Sequence, residues 1–422
     1  MKFARMGAAL GVAAIVLSAC SGSTSSSAGA SGGTGGQTLK IGITFPLSGS
    51  SLASAGPARD GALLAIKEAN AAGTVKGYTL AGDVHDHAVN GQYDAQQGAK
   101  DMTAMVADPT IMAVVGPFNS AVAKVQIPIS NQAGLLQCSP ANTNPDLTKG
   151  DAGKQLRSAN PDKINYVRVA TTDDIQGPAV AQYAYNDLGL KAVAIVDDLS
   201  VYGKGIADAF AGEFTKLGGK VVDREGADPK TQDYSSILTK FAGLNPDSVF
   251  FGGVTANGGG LLRKQMPQAG LGSLPFLGGD GIQDQNGSVS GSFINIAGAA
   301  AANSYSSVAA IHDIPGAADF TAKFKAAYNS DPGAYGASGY ACAQIIIKAL
   351  STAAAAGPVT REAVRAAGVN TATTFDTVLG PVQFDAVGDT SQKIISLYKV
   401  DATAAGGKGD WVFVKQINYG AK

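Results

Sequence analysis

Leu39-Lys-Ile-Gly-Ile-Thr-Phe45 reads as a buried strand, and the elements after it decide the fold. Arg59 to Ala72 has a helical pattern, with Leu63, Leu64 and Ile66 as core candidates, and Tyr78 to Val84 returns as a strand. Gln92 to Ala107 reads as a helix, Ile111 to Val115 as a strand, Ala121 to Gln132 as a helix and Leu135 to Cys138 as a strand. The rhythm restarts with a strand at Ala192–Val196 and a helix at Gly205–Leu217. Strands at Lys220–Asp223 and Ser248–Phe251 then flank a helix at Tyr234–Ala242. Strands alternating with helices imply βαβ units and parallel sheets. Two such runs imply two doubly wound α/β lobes. Beyond them, Phe320–Tyr328, Tyr340–Ala355 and Thr360–Ala367 read as consecutive helices, and Ile394–Val400 with Trp411–Lys415 as a strand pair. That last third reads as chain returning to complete the earlier lobes.

Composition narrows the function classes. The chain has 422 residues, enough for about two domains, and a net charge of −1, which argues against a nucleic-acid partner. Charged residues make up 15%, below the usual ~25%. Three cysteines are too few for a disulfide-built scaffold.

The N-terminus reads as an address. Lys2 and Arg5 precede an apolar run from Gly7 to Leu17, too short for a spanning helix. Residues 1–19 are therefore expected to be a signal peptide. Leu17-Ser-Ala-Cys20 resembles a bacterial lipobox, which makes Cys20 the expected lipidation site. Residues 21–37 contain only Ser, Gly, Thr, Ala and Gln and read as a flexible tether.

Ligands of open α/β sheets bind beyond the C-terminal ends of strands. After Ile111–Val115 comes Gly116-Pro-Phe-Asn-Ser120, where Ser120 is placed to cap a helix and free N–H groups suit a carboxylate. After Leu135–Cys138, Ser139-Pro-Ala-Asn-Thr-Asn-Pro145 offers carbonyls and the Thr143 hydroxyl, acceptors that suit an ammonium group. Tyr202 brings an aromatic face and a hydroxyl, and Asp280 an acid at a glycine-rich strand end. Each of these also has a plain structural reading, as a cap, a turn or surface packing. His85-Asp86-His87 lacks a third soft ligand for a metal, and strand alternation explains it. Gly258-Gly-Gly260 lacks the lysine-hydroxyl pair of a phosphate loop. Ser200 and Ser288 lack a Gly-x-Ser-x-Gly context, so a hydrolase is the weaker alternative and no cofactor is expected.

In series these positions carry a resemblance. Leu39–Pro46 with Leu47-Ser-Gly49, Val115-Gly116 with Ser120, Ser139–Thr143 with Pro145–Leu147, and Gln176-Gly-Pro178 run in order along the chain. Tyr202-Gly203, Phe251-Gly-Gly253, Gly279-Asp-Gly281, Thr377–Pro381 and Gly388-Asp389 continue the series. The whole resembles the substrate-binding proteins of branched-chain amino acid ABC transporters. The resemblance implies a type I periplasmic binding-protein fold, two Rossmann-like lobes joined by three crossovers near 170–174, 308–312 and 389–393. Lobe 1 would then be 38–171 plus 310–390, and lobe 2 would be 172–309 plus 391–422. It also implies an amino acid-like ligand, ABC permease partners and an extracytoplasmic, membrane-anchored location. The same fold could serve a sensing receptor.

By resemblance, Ser120 and the backbone at Thr143 hold a ligand carboxylate. The Ala141 carbonyl, the Thr143 hydroxyl and Asp280 hold an ammonium group. Tyr202 closes over the ligand, and Phe118 and Tyr335 line the side-chain pocket. Two family aromatics are replaced, near Ala55 and at Val254, which implies a reshaped pocket. Cys138 and Cys342 remain as a candidate disulfide outside the cytoplasm; two separate buried thiols are the alternative.

Overall fold

The computed structural model describes residues 36–420. The signal peptide, Cys20 and all but the end of the tether lie outside the described residues.

The first sheet is built from β1 (Gln37–Phe45), β2 (Tyr78–Asp86), β3 (Ile111–Val115), β4 (Leu136–Ser139) and β5 (Tyr166–Arg168). It is parallel throughout, in the order β2-β1-β3-β4-β5. Its central strands are buried on both faces, which is why they read as apolar runs. Helix α1 (Leu52–Ala71) begins before the expected Arg59, because Pro57 sits inside it rather than ending it. The lost ladder hydrogen bond is offset by burial of Ala53, Ala55, Ala58 and Ala62. Helix α2 spans Ala95–Ala107. Gln92 and Tyr93, expected at its start, instead pair in a short antiparallel ribbon with Ala88 and Val89. The Asp94 carboxylate then caps α2 by accepting from the Gln97 N–H. Helix α3 is Ser120–Gln132.

The second sheet holds β6 (Ala192–Asp197), β7 (Lys220–Gly226), β8 (Ser248–Gly252), β9 (Phe276–Gly278), β10 (Ser304–Val308), β11 (Ile394–Asp401) and β12 (Asp410–Asn418). Its order is β12-β11-β10-β9-β8-β6-β7, with β6 to β10 parallel and the last two antiparallel. Helices α4 (Asp173–Gln182), α5 (Val201–Lys216) and α6 (Ser235–Leu244) belong to this run. In both parallel runs the second strand lies outside the first and the third inside it. This creates a switch point where loops part and a crevice opens.

The returning helices α7 (Ala317–Tyr328), α8 (Gly336–Ala356) and α9 (Arg361–Gly368) pack on the first sheet. Phe320, Phe324, Ile345, Ile346, Leu350 and Val364 share one core with Ile41, Ile43, Val115 and Leu136. Helix α8 is long and apolar enough to cross a membrane, but it buries that apolar surface in this core. Cys138 at the end of β4 and Cys342 on α8 are joined by a disulfide, with Cα atoms 5.4 Å apart.

The chain passes between the sheets three times, and the three passages are tied together. The Thr171 N–H donates to the Ala309 carbonyl at 2.8 Å. The Thr171 hydroxyl donates to the Gln392 carbonyl at 2.8 Å and accepts from the Ile394 N–H at 3.2 Å. Beside them the fully buried Arg168 donates to Asp389 at 2.7 Å. Arg168 also donates to the Asn144 carbonyl at 2.7 Å and the Thr148 hydroxyl at 2.6 Å. One guanidinium thus fixes two crossovers and the loop after β4.

Candidate ligand-binding site

A cavity lies where the two switch points face each other. Phe118, Asn119, Ser120 and Ala141 line it from the loops after β3 and β4, and Tyr335 from the start of α8. Ser200, Tyr202, Val254, Asp280 and Gly281 line it from the loops after β6, β8 and β9. It holds about 20 Å³ of free space, room for about one water. The lobes are closed over it. The Asn144 amide donates to the Val201 carbonyl at 3.0 Å, and the Gln92 amide to the Pro229 carbonyl at 2.8 Å, both across the cleft.

The first-lobe wall depends on Gly116, which has φ +124°. A Cβ there would lie 2.6 Å from the Thr44 carbonyl, so only glycine lets the chain turn this close to β1. The turn places Ser120 as the first residue of α3. Asn119, not Ser120, is the N-cap residue, and neither side chain caps the helix. That corrects the capping expectation and leaves Ser120, at the helix N-terminus, lining the cavity, where the helix dipole favours negative charge. The Ser139 hydroxyl donates to the Pro117 carbonyl at 2.8 Å and the Asn142 amide to the Phe118 carbonyl at 2.7 Å. These bonds lock the Ala141 loop to the Ser120 loop.

The second-lobe wall centres on Asp280. The Tyr202 hydroxyl donates to its carboxylate at 2.8 Å, the Gln176 amide at 3.1 Å and the Tyr335 hydroxyl at 3.2 Å. Burial pushes the Asp280 carboxyl up to about 6, against these donors, which favour the ionised form. Burial, and then the Asp280 charge, hold the Tyr202 and Tyr335 phenols well above their usual range. Tyr202 is positioned by Ser200, whose hydroxyl caps α5 by accepting from the Gly203 N–H at 2.9 Å. Phe118 and Tyr335 meet edge-on at 4.7 Å between ring centroids.

Thr143 does not line the cavity. It sits one step behind, beside Asp173, whose N–H donates to the Thr143 carbonyl at 2.8 Å. The Thr143 hydroxyl is buried with no hydrogen-bond partner among the described residues. Ala55 lies in the first-lobe core, and the α1 end presents Ser51 and Ser54 to the cavity margin instead. Val254 faces the cavity as expected from its place in the chain.

Sequence reading misses Tyr93, Asn119, Ser200, Asp173 and the role of Gln176. Tyr93 brings an aromatic wall to the cavity. Its signal is hidden by the helical pattern of Gln92–Ala107. Gln176 belongs to the Gln-Gly-Pro motif, and its amide bridges Asp280 and Asp173 at 3.1 and 3.2 Å. Burial, and then the Asp280 charge, raise the Asp173 carboxyl well above the usual range. Of the His85-Asp86-His87 stretch, His87 is buried against the Thr44 hydroxyl at 3.0 Å, and burial lowers it to about 4.

A switch-point cleft between two lobes, with a helix N-terminus on one side and a buried acid on the other, is where open α/β sheets hold ligands. Residues 38–408 match the periplasmic binding-protein family model, and the chain belongs to that family, in the type I class of branched-chain amino acid ABC transporters. It is 30% identical over 367 residues to the Leu/Ile/Val-binding protein BraC3 of Rhizobium johnstonii, covering 86% of this chain and 92% of that one. It superimposes on the leucine-binding protein LivK of Thermotoga maritima with a TM-score of 0.75 and 26% identity, covering 90% and 99% of the two chains. The isoleucine complex of LivJ from Streptococcus pneumoniae gives a TM-score of 0.74 and 25% identity, covering 90% and 100%.

Proposed function

We propose that this chain captures a hydrophobic amino acid, of the leucine, isoleucine and valine class, between its lobes and hands it to an ABC permease. The observation that carries the reading is the buried Asp280 carboxylate, ringed by phenol and amide donors and facing the N-terminus of α3 across one small cavity. The charges of a zwitterion match the two ends, its carboxylate at Ser120 and its ammonium at Asp280 and the Ala141 carbonyl, and the closed cavity of about 20 Å³ must widen to admit it. Docking on the first lobe would precede closure of the second, and Tyr202 and Tyr335 would yield Asp280 to the ammonium. The relatives' names, Leu/Ile/Val-binding and leucine-binding, support an apolar side chain. Phe118, Tyr93 and Val254 would contact it.

The reading also places the protein outside the cytoplasm, held to the membrane by lipid on Cys20. Cys20→Ala is expected to release the protein from the membrane fraction; continued membrane association would remove the anchor.

A thermal-shift screen over amino acids, amides, sugars and aromatic acids tests the ligand class. Leucine, isoleucine or valine is expected to raise the melting temperature. A shift produced only by sugars or aromatic acids would overturn the reading.

A further inference from the structure

Asp280 follows a residue that does little to hold the chain. A Cβ on Gly279 would lie 2.6 Å from the Tyr202 hydroxyl, so the position is confined to glycine, whose backbone is the least restricted of any. The carboxylate is therefore aimed by what grips it from outside. Among the described residues, three side chains donate to it: Tyr335 at the start of α8, Tyr202 on α5 and Gln176 on α4. The Tyr335 bond crosses the cleft and is lost when the lobes part. In the proposed capture, Tyr202 and Tyr335 yield to the ammonium. The Gln176 bond lies within the second lobe and is disturbed by neither event.

Gln176 is fully buried, and its amide uses all four of its hydrogen-bonding places. The amide oxygen accepts from the Asp280 N–H at 3.0 Å and from the Ser307 hydroxyl at 2.8 Å. The amide nitrogen donates to the Asp280 carboxylate at 3.1 Å and to the Asp173 carboxylate at 3.2 Å. A main-chain N–H can only donate, so the oxygen must face the Asp280 backbone and the NH₂ group the two acids. One side chain thus grips Asp280 at both its main chain and its carboxylate. Ser307 belongs to β10, so the grip is braced against the sheet rather than against another loop. Neither glutamate nor methionine could replace it: an ionised glutamate has no donor for the acids, and methionine has none at all. Gln176 itself lies behind the cavity wall, not on it.

We infer that Gln176 is a positioning residue for ligand capture: it aims the Asp280 carboxylate at the ammonium site before a ligand arrives and keeps it aimed as the lobes open and close. The inference rests on the reading of Asp280 as the ammonium partner. Its energetic sense is preorganisation, since an acid already held in place costs no ordering when the ligand binds.

A double-mutant cycle, read by calorimetric titration of leucine into the full chain, tests it. Gln176→Met keeps the side chain's length, removes the amide, and is expected to weaken leucine binding at least about tenfold, the scale of one charge-assisted hydrogen bond. Ser307→Ala leaves Gln176 in place but removes its brace, and is expected to weaken binding about threefold. This milder variant decides the question if Gln176→Met does not fold. In an Asp280→Ala background there is no carboxylate to aim, so each substitution is expected to change affinity by less than about twofold. A residue that only supports the fold would cost the same in both backgrounds. Equal losses in the two backgrounds, or native affinity in both single variants, would overturn the inference while leaving Asp280 as the ammonium partner. Native affinity in Asp280→Ala alone, or no leucine binding by the native chain, would overturn the capture reading and this inference with it.

Discussion

The Tyr335 hydroxyl, at the start of the first-lobe helix α8, donates to the main-chain carbonyl of Asp280 at 2.8 Å and to its carboxylate at 3.2 Å. The central acid of the second lobe is thereby held by the first. The bond exists only while the lobes are closed, so it favours the empty closed form, and under the proposed reading a ligand ammonium would compete with it. Removing the hydroxyl in Tyr335→Phe is expected to cost the empty closed form about 1 kcal/mol and shift its population toward open about fivefold. Energy transfer between labels at Lys124→Cys and Lys240→Cys, one on each lobe, reads this; an unchanged distance distribution would contradict it.

The Asp280 carboxyl also sets a pH dependence. Its value is about 6 in the folded chain against an ordinary 3.8, so between these the folded chain holds a proton that the unfolded chain has lost. This group's contribution to stability is full below about 3.8 and is lost as pH rises through about 6. Asp284, pushed by burial up to about 7, adds a decline of the same sign. Binding an ammonium needs ionised Asp280 and runs the other way: affinity is expected to rise about tenfold between pH 5 and 7 and then level off. Calorimetric titrations across that range check it, and a flat profile would count against Asp280 as the ammonium partner.

Arg168 and Asp389 join the first and third crossovers and hold the Ala141 loop. Arg168→Met leaves a buried carboxylate whose remaining ion pair is with Lys149, at 3.8 Å. A loss of about 3–5 kcal/mol is expected in urea unfolding. A loss below about 1 kcal/mol, the scale of an exposed pair, would show the crossovers to be held by other contacts.

The disulfide spans 204 residues of sequence and ties β4, which leads into the site loop, to α8, whose N-cap residue is Tyr335. Replacing both Cys138 and Cys342 by serine is expected to lower stability by about 2–5 kcal/mol. Two free thiols at these positions in denatured, unreduced protein would contradict the bond.

Much of this architecture is legible in the sequence because buried parallel strands read as apolar runs. Ile111–Val115 and Ser248–Phe251 are examples, buried at every position. Boundaries move where local chemistry overrides pattern. The helical pattern is read from Arg59, yet α1 starts at Leu52 and absorbs Pro57 inside a tightly packed alanine face. Gln92 and Tyr93 fit a helical period, yet Asp94 caps the helix after them. Ser120, Ala141, Tyr202, Asp280, Phe118 and Tyr335 are brought to one cavity, because each sits beside a strand's C-terminal end or, for Tyr335, at a helix start facing it. Thr143 and Asp173 are harder to place, since their depth behind the cavity depends on tertiary packing of the loop held by Arg168. Asp173 carries no local signal of burial, being one of two adjacent aspartates at a helix start.

The central claim is that Asp280 holds the ammonium of an amino acid between the lobes. Isothermal titration calorimetry of leucine into the native chain and into Asp280→Ala tests it most directly. The native chain is expected to bind one leucine per molecule. The variant, folded by thermal melt, is expected to bind about 10- to 100-fold more weakly, the loss of one charge-assisted hydrogen bond. Equal affinity in the two proteins would contradict the account.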